Sequence, residues 1–168
     1  MSHYDASTAQ IFVYTFKEGM LSALAHDLKL KVGRFELDTE GGAVTATFDA
    51  TTLAVACPRK DGQDNPGGLP QLTYGEIEKN ARNDVLEVSR YPSIRFRSTA
   101  VTDTEVEGEL TLHGNTRAVH GVRKDDAQSR VAEFRFDQRD FGIKPYSAMF
   151  GTLKIKPEVV VEVRLPRE

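Results

Sequence analysis

Several features that would point to a particular class of protein are missing from this sequence of 168 residues. Its one cysteine, Cys57, cannot form an internal disulfide, which excludes a disulfide-stabilised scaffold. No apolar run approaches the ~20 residues that span a bilayer. The N-terminus has neither the basic nor the apolar segment of a signal peptide. We therefore expect a cytoplasmic protein without stable membrane insertion.

An excess of charge of one sign is also missing. The chain carries 22 basic and 25 acidic residues, a net charge of -3, and the two signs are interspersed. Because there is no basic run, binding to nucleic acid or to an anionic membrane surface is not expected. The length predicts a single domain over residues 1–168, large enough to bury roughly 70% of its unfolded surface.

Motifs that carry chemistry are scarce. The four histidines and the one cysteine lack the spacing of metal ligands. The acidic segment 61–65 does not have the register of a calcium-binding loop. Nucleophile-elbow, P-loop and dinucleotide-binding motifs are absent. We therefore predict no metal, no cofactor and no catalytic residue, although an active site assembled by the fold from distant residues stays open.

The sequence is rich in alternation of apolar and polar residues, which is typical of half-buried β-strands. Ile94 and Phe96 alternate with arginines, and the pattern resumes after a short polar break over residues 105–113. Two such runs predict an antiparallel hairpin. A long run covers residues 153–165, where Pro157 predicts irregular pairing. About eight such runs predict an all-β fold, either a sandwich or a barrel.

Other segments interrupt the strand pattern. Residues 73–76 have the spacing of a capping box, which predicts one surface helix whose apolar stripe could cover one end of a barrel. The residues of this stripe are Ile77, Ala81 and Val85. Apolar residues four apart within residues 16–25 suggest one or two further helical turns. The strand parity slips at Gly33, which predicts a bulge or a bend.

Three segments resemble the signature of the YceI-like family. They are YPSIRFRS at residues 91–98, VEGELTLHGNTR at 106–117 and RDFGI at 139–143. Their order and spacing are those of the family, and the resemblance covers most of the chain. It implies an all-β, lipocalin-like antiparallel β-barrel of about eight strands with one or two short helices. It also implies that the barrel holds a long polyisoprenoid chain.

In such a barrel the inward-facing residues would form the binding site. Small inward residues such as Ser98 and Ala100 leave volume, so an open lumen is expected. Gly108 suggests a close approach by a ligand or by a large side chain such as Phe134 or Phe136. The predicted lumen residues are Leu28, Leu30, Val44, Phe48, Ile94, Phe96, Gly108, Leu110, Leu112, Phe134, Phe136, Ile155, Val159 and Val161.

A ligand head group at the barrel mouth would need polar partners. The candidates, which lie near a helix-to-strand junction and near the matched turns, are His26, Arg117, Arg139 and Lys144. Strand parity places His113 outward and allows His120 to face inward.

These observations, with the resemblance, predict binding, transport or storage of a long-chain isoprenoid lipid of the polyprenyl or quinone-like type. Apart from such a lipid we expect no cofactor, and a homodimer stays open. One alternative is a non-catalytic structural or stress-related interaction protein whose barrel is filled by side chains. The other is an enzyme that acts on an apolar substrate.

Overall fold

The structure is a computed structural model that describes residues 1–19, 26–148, 151 and 153–167. Short strands dominate it, as the alternating pattern predicts. The strands are β1 (Ser2–Asp5), β2 (Gln10–Thr15), β3 (Asp27–Val32), β4 (Phe35–Glu40), β5 (Ala43–Asp49), β6 (Leu53–Lys60), β7 (Gln63–Asp64), β8 (Ser93–Val101), β9 (Glu105–Leu112), β10 (Asn115–Arg123), β11 (Ser129–Asp137), β12 (Ser147–Ala148), β13 (Leu153–Lys154) and β14 (Glu158–Pro166).

Twelve of these strands form one antiparallel sheet that curls into a half-barrel. The strand order is β1-β4-β5-β8-β9-β10-β11-β14-β2-β3-β6-β7, so the sheet has edges at β1 and β7. Strands β12 and β13 pair separately. The predicted all-β antiparallel architecture is confirmed. The number of strands exceeds the expected eight because bends and short extensions divide several of the predicted runs.

A bend at Gly33 separates β3 from β4, as the slip in parity predicts. The Gly33 amide donates to the carbonyl oxygen of Thr52 at 3.2 Å, and Thr52 Oγ1 is 3.1 Å away. A Cβ atom at residue 33 would lie 3.2 Å from that carbonyl oxygen, so glycine allows this close approach. The bend lets one stretch of chain contribute to two parts of the curled sheet.

The predicted hairpin is formed by β8 and β9, but it contains a bulge. The register shifts between Ser98, which pairs with Gly108, and Ala100, which pairs with Glu107. Because a bulge reverses the parity of the residues that follow it, Ala100 is exposed and Val101 faces the interior instead. The prediction that Ala100 faces inward is therefore wrong.

The C-terminal run is interrupted near Pro157, as predicted. Ile155 forms an isolated bridge with Lys17, and β14 begins only at Glu158. A proline has no amide hydrogen for the ladder, so pairing breaks beside it. The carbonyl oxygen of Pro157 instead accepts from the amide of Gln138 at 2.9 Å.

The predicted surface helix is present, and it changes type along its length. Helix α1 (Tyr74–Lys79) continues directly as a π-helix over Asn80–Val85, and the two together are called helix 74–85. The capping box does not form, because the Thr73 hydroxyl donates back to the Pro70 carbonyl at 2.6 Å. The helical turns predicted within 16–25 fall largely on residues 20–25, outside the described residues. Short 3₁₀ turns occupy Ala50–Thr52, Gln71–Thr73 and Gln138–Phe141.

The buried apolar side chains form three clusters instead of one continuous core. One is centred on β9 to β11, one on β2 with β4 and β5, and one beneath helix 74–85. Representative members are Leu110, Phe134 and Phe141 in the first, Ile11, Phe35 and Leu37 in the second, and Leu28, Leu30 and Val55 in the third. The clusters line the sheet and leave space between them.

Candidate functional site: an apolar cavity within the curled sheet

The space enclosed by the sheet is a cavity of about 990 Å³. This volume lies at the upper end of the ~300–1,000 Å³ typical of small-molecule sites. All but one of the fourteen predicted lumen residues line it, the exception being Gly108. The lining residues among them are Leu28, Leu30, Val44, Phe48, Ile94, Phe96, Leu110, Leu112, Phe134, Phe136, Ile155, Val159 and Val161. Contact of these residues with a ligand stays a prediction.

Side chains that face the cavity keep part of their surface uncovered. Phe96, Phe136 and Val161 point into the interior of the sheet, yet each is only half-buried. In a filled barrel such residues would be covered by neighbours from the opposite wall, because protein cores are close-packed. The partial exposure therefore belongs to a lumen that the protein's own side chains do not fill.

Gly108 does not border the cavity, because an aromatic ring covers it. A Cβ atom at this position would lie 2.5 Å from both Cε2 and Cζ of Phe96 and 2.6 Å from the carbonyl oxygen of Arg97. The residue that approaches closely is thus Phe96, and neither Phe134 nor Phe136. The prediction that Gly108 lines the lumen is therefore wrong. Its lack of a side chain makes room for the Phe96 ring, which does line the lumen.

A second glycine on the adjacent strand has the same role, and the sequence analysis missed it. Gly121 pairs directly with Phe134, and a Cβ atom there would lie 2.7 Å from Cε1 and Cζ of that ring. The rings of Phe96 and Phe134 then meet edge to face at a centroid distance of 5.6 Å. The two glycines therefore let both rings lie against the wall. The small residues Ser98 and Ala100, which were expected to leave volume in the lumen, do not line the cavity.

Only one of the four head-group candidates lines the cavity, namely His26. Arg117 is exposed and donates to the carbonyl oxygen of Thr116 at 2.8 Å. Arg139 is exposed, and its Nε donates to Asp137 Oδ1 at 3.1 Å while its Nη2 donates to Asp137 Oδ2 at 2.7 Å. These hydrogen bonds lower the pKa of the Asp137 carboxyl and raise the pKa of Arg139. Lys144 is also exposed, so three of the four candidates do not line the cavity.

One end of the cavity lies at the β4–β5 and β8–β9 turns and is called the turn end. Two arginines line it, and both already have partners. Arg123 Nη2 donates to Asp125 Oδ2 at 2.6 Å, and Arg130 Nη2 donates to Tyr4 Oη at 2.6 Å. These contacts fasten β10 and β11 to neighbouring segments. Their guanidinium charges are therefore partly engaged in holding the wall together.

The opposite end of the cavity lies under helix 74–85 and is called the helix end. Asn80 Nδ2 donates to Tyr146 Oη at 3.0 Å. Gln138, only 6% exposed, donates from Nε2 to the Lys156 carbonyl at 3.2 Å. All three side chains line the cavity. The imidazole of His26 lines it too and makes no hydrogen bond within the described part of the chain. This end therefore offers uncharged hydrogen-bonding groups.

Helix 74–85 closes the helix end and packs partly buried side chains against the cluster beneath it. None of its residues is fully buried, because its apolar stripe also borders the cavity, as the sequence predicts for a barrel end. Polar contacts tie it to the sheet: Glu78 Oε2 accepts from the Val55 amide at 2.9 Å, and Arg82 Nη1 donates to the Thr51 carbonyl at 3.3 Å. Partly buried apolar packing and polar side chains therefore hold the helix in place.

The placements of two further histidines reverse the predictions. His113 was predicted to lie outward, but its side chain is only 11% exposed and contacts Glu87, Phe141 and Tyr91. His120, which the parity allowed to face inward, is exposed on the outer face beside two glutamates. The alternation of strand side chains does not apply to His113, because its φ of 53° places it in the turn after β9.

Over residues 1–19, 26–148 and 153–167, no group of three or more histidine, cysteine or acidic side chains is placed to hold a metal ion. Within the same residues, no helix combines the length and the apolar character needed to cross a membrane.

An antiparallel sheet curled around an apolar cavity, with a helix across one end, defines a protein of the lipocalin-like barrel class. The chain belongs to the YceI-like family, because the sequence profile of the YceI-like domain matches residues 3–166. The resemblance noted in its three motifs is thereby confirmed.

Two solved structures share the fold over nearly the whole chain. A polyisoprenoid binding domain from Saccharophagus degradans, implicated in plant cell wall breakdown, matches with a TM-score of 0.57 and 11% identity, covering 98% of this chain and 95% of that one. BcnA from Burkholderia cenocepacia matches with a TM-score of 0.57 and 12% identity, covering 95% and 96%. At these identities the likeness concerns the fold alone.

Curated relatives carry the family name UPF0312. A UPF0312 protein of Pseudomonas putida (strain W619) is 38% identical over 98 residues, which is 49% of this chain and 51% of the relative. One from Vibrio cholerae serotype O1 is 29% identical over 133 residues, 69% of this chain and 66% of the relative. The chain spans about half the length of the Pseudomonas relatives it matches.

Proposed function

We propose that this protein binds a long isoprenoid lipid, of the polyprenyl or quinone-like type, inside the cavity and carries or stores it. The observation that supports this most directly is a cavity of about 990 Å³ lined mainly by aliphatic and aromatic side chains. The fold is shared with a polyisoprenoid binding domain of Saccharophagus degradans. The alternative of a side-chain-filled structural barrel is disfavoured by the same cavity.

The volume limits the length of chain that the cavity encloses. At roughly 30 Å³ for each water-sized group, about 990 Å³ holds about 30 non-hydrogen atoms. A tail of about 30 carbons would therefore fill the lumen, and the remainder of a longer tail would project from it. A carrier of this kind accepts many chain lengths but gains little from carbons beyond that number.

The energetics show why polar contacts matter for such a carrier. Moving ~30 carbons from water into the lumen gains about 0.8 kcal/mol each, more than the ~20 kcal/mol at which affinities saturate. In a bilayer the tail already lies in hydrocarbon, so transfer into the protein gains almost nothing. Loading from a membrane must then be favoured by contacts of the head group. We propose that His26, Asn80 and Tyr146 at the helix end make these contacts.

A series of prenyl quinones of increasing tail length tests the proposal. We expect affinity to rise with tail length up to about 30 carbons and then to level off, because further carbons find no wall to contact. Binding can be measured by titration of delipidated protein, together with mass spectrometry of lipids extracted from fresh preparations. A sterol of similar carbon number serves as a rigid control. If no preparation yields a lipid and no chain loads, the carrier function is wrong.

A further inference from the structure

Helix 74–85 has the contacts of a movable cover. Its apolar stripe borders the cavity and packs, partly buried, against the edges of two buried clusters, and none of its residues is fully buried. A helix without a fully buried residue has fewer packed contacts to lose when it moves, and local opening occurs where buried apolar contacts are few. The segment that follows the helix, residues 86–91, returns to the sheet and brings Glu87 against the β9–β10 turn. This return fastens the helix to the barrel, in addition to the contacts of Glu78 and Arg82.

The fastening is a partly buried contact between His113 and Glu87. His113 Nε2 lies 2.6 Å from Glu87 Oε2, and His113 Nδ1 lies 3.3 Å from the carbonyl oxygen of Phe141. The ring of Tyr91 packs on the imidazole at a centroid distance of 4.5 Å. Asn115 Nδ2 donates to the same Phe141 carbonyl at 2.8 Å. Three segments distant in sequence therefore meet at one imidazole.

The backbone at both partners is unusual. His113 has a φ of 53° and Glu87 a φ of 49°, two of the three non-glycine residues with positive φ in the described chain. Residues other than glycine rarely adopt this conformation, and surrounding contacts must hold them in it. The local chain is thus shaped to bring these two side chains together.

Both nitrogens of the His113 ring face hydrogen-bond acceptors, the Glu87 carboxylate and the Phe141 carbonyl oxygen. Arg90 Nη1 lies 3.6 Å from Glu87 Oε1, so Glu87 is held from a second side. The contact therefore fixes the position of Glu87 and, with it, the return of the chain after the helix.

We propose that helix 74–85 is the lid through which the lipid chain enters and leaves, and that the His113–Glu87 contact is its latch. His113 is a positioning residue that acts through Glu87 and does not itself line the cavity. This inference rests on the proposed lipid binding.

Transfer of a dansyl-labelled long-chain prenol from the loaded protein to neutral phosphatidylcholine vesicles tests the latch. His113→Gln and Glu87→Gln should transfer the prenol about tenfold faster than the unmodified protein, because the hydrogen bond between His113 and Glu87 is lost. Equilibrium binding of the prenol should stay unchanged in both variants, because neither side chain lines the cavity.

His120→Gln is the matched control, since His120 sits beside Glu105 and Glu107 on the outer face, away from the helix. It should keep the transfer rate of the unmodified protein. If His113→Gln does not fold, Glu87→Gln, at a side chain 38% exposed, carries the test. Loaded variants with an unchanged transfer rate would overturn the latch and leave lipid binding intact. If no variant and no unmodified protein takes up the probe, lipid binding itself fails.

Discussion

Val161→Asp is expected to reduce binding of a long prenyl chain by at least about 100-fold. Val161 lies on β14, lines the cavity and pairs with Val13 and Phe134 on the neighbouring strands. In the empty cavity water can solvate the new carboxylate, so the fold should persist. A lipid tail would have to displace that water and leave the charge without a partner, which costs several kcal/mol. About 3 kcal/mol corresponds to about 100-fold in affinity.

Titration with a prenyl quinone measures the loss, and circular dichroism checks that the variant is folded. Val122→Asp is the matched control, because Val122 is 44% exposed on the outer face of β10. The control should bind as the unmodified protein does. A folded Val161→Asp protein that binds within a few-fold of the unmodified protein would mean that the chain does not occupy this cavity.

Gly108→Leu is expected to destabilise the fold by about 3 kcal/mol, the upper end of the usual cost of overpacking. The Cβ atom alone would lie 2.5 Å from the Phe96 ring and 2.6 Å from the Arg97 carbonyl oxygen. The ring can rotate toward the cavity, but the carbonyl belongs to the β8 backbone and has little freedom to move. The displaced ring would also reduce the lumen, so binding of long chains should fall together with stability.

Urea unfolding measures the change in stability, with Gly67→Leu as its control. Nothing lies within 4 Å of a Cβ atom at residue 67, and no positive φ is found there. The control should therefore leave the midpoint of unfolding nearly unchanged. A Gly108→Leu protein that unfolds at the same midpoint as the control would contradict this prediction. It would mean that the Phe96 ring can move to another position without loss of stability.

The alternation of side chains predicts the walls of the barrel well, because a strand with one face inward leaves a two-residue period in the sequence. It fails where one residue is inserted. The bulge between Ser98 and Ala100 turns Val101 inward, and the apolar Val101 at an outward position was the signal that could have shown it. The π-helical turn over Asn80–Val85 leaves no comparable pattern, since its residues also suit an α-helix.

The polar groups of the cavity were the least predictable part of the site. Asn80 and Tyr146 are hydrogen-bonded although 66 positions separate them in the chain, so only the fold brings them together. Arg139 was a different kind of error. Its partner Asp137 is two residues away, and this local pairing was visible in the sequence. Charge near a turn motif of the family did not indicate charge near the lumen, because the Asp137–Arg139 pairing there is local.

The incomplete closure of the sheet has a consequence for self-association. Both edges of the sheet expose backbone groups that could template strands from other molecules, which is how many β-proteins aggregate. Here the edge strands are short, four residues in β1 and two in β7. Polar side-chain pairs also lie at both edges. His3 in β1 contacts Asp38, and Asp64 in β7 forms ion pairs with Lys29 and Arg59. A half-barrel with an open seam thus offers a neighbouring molecule little backbone to extend.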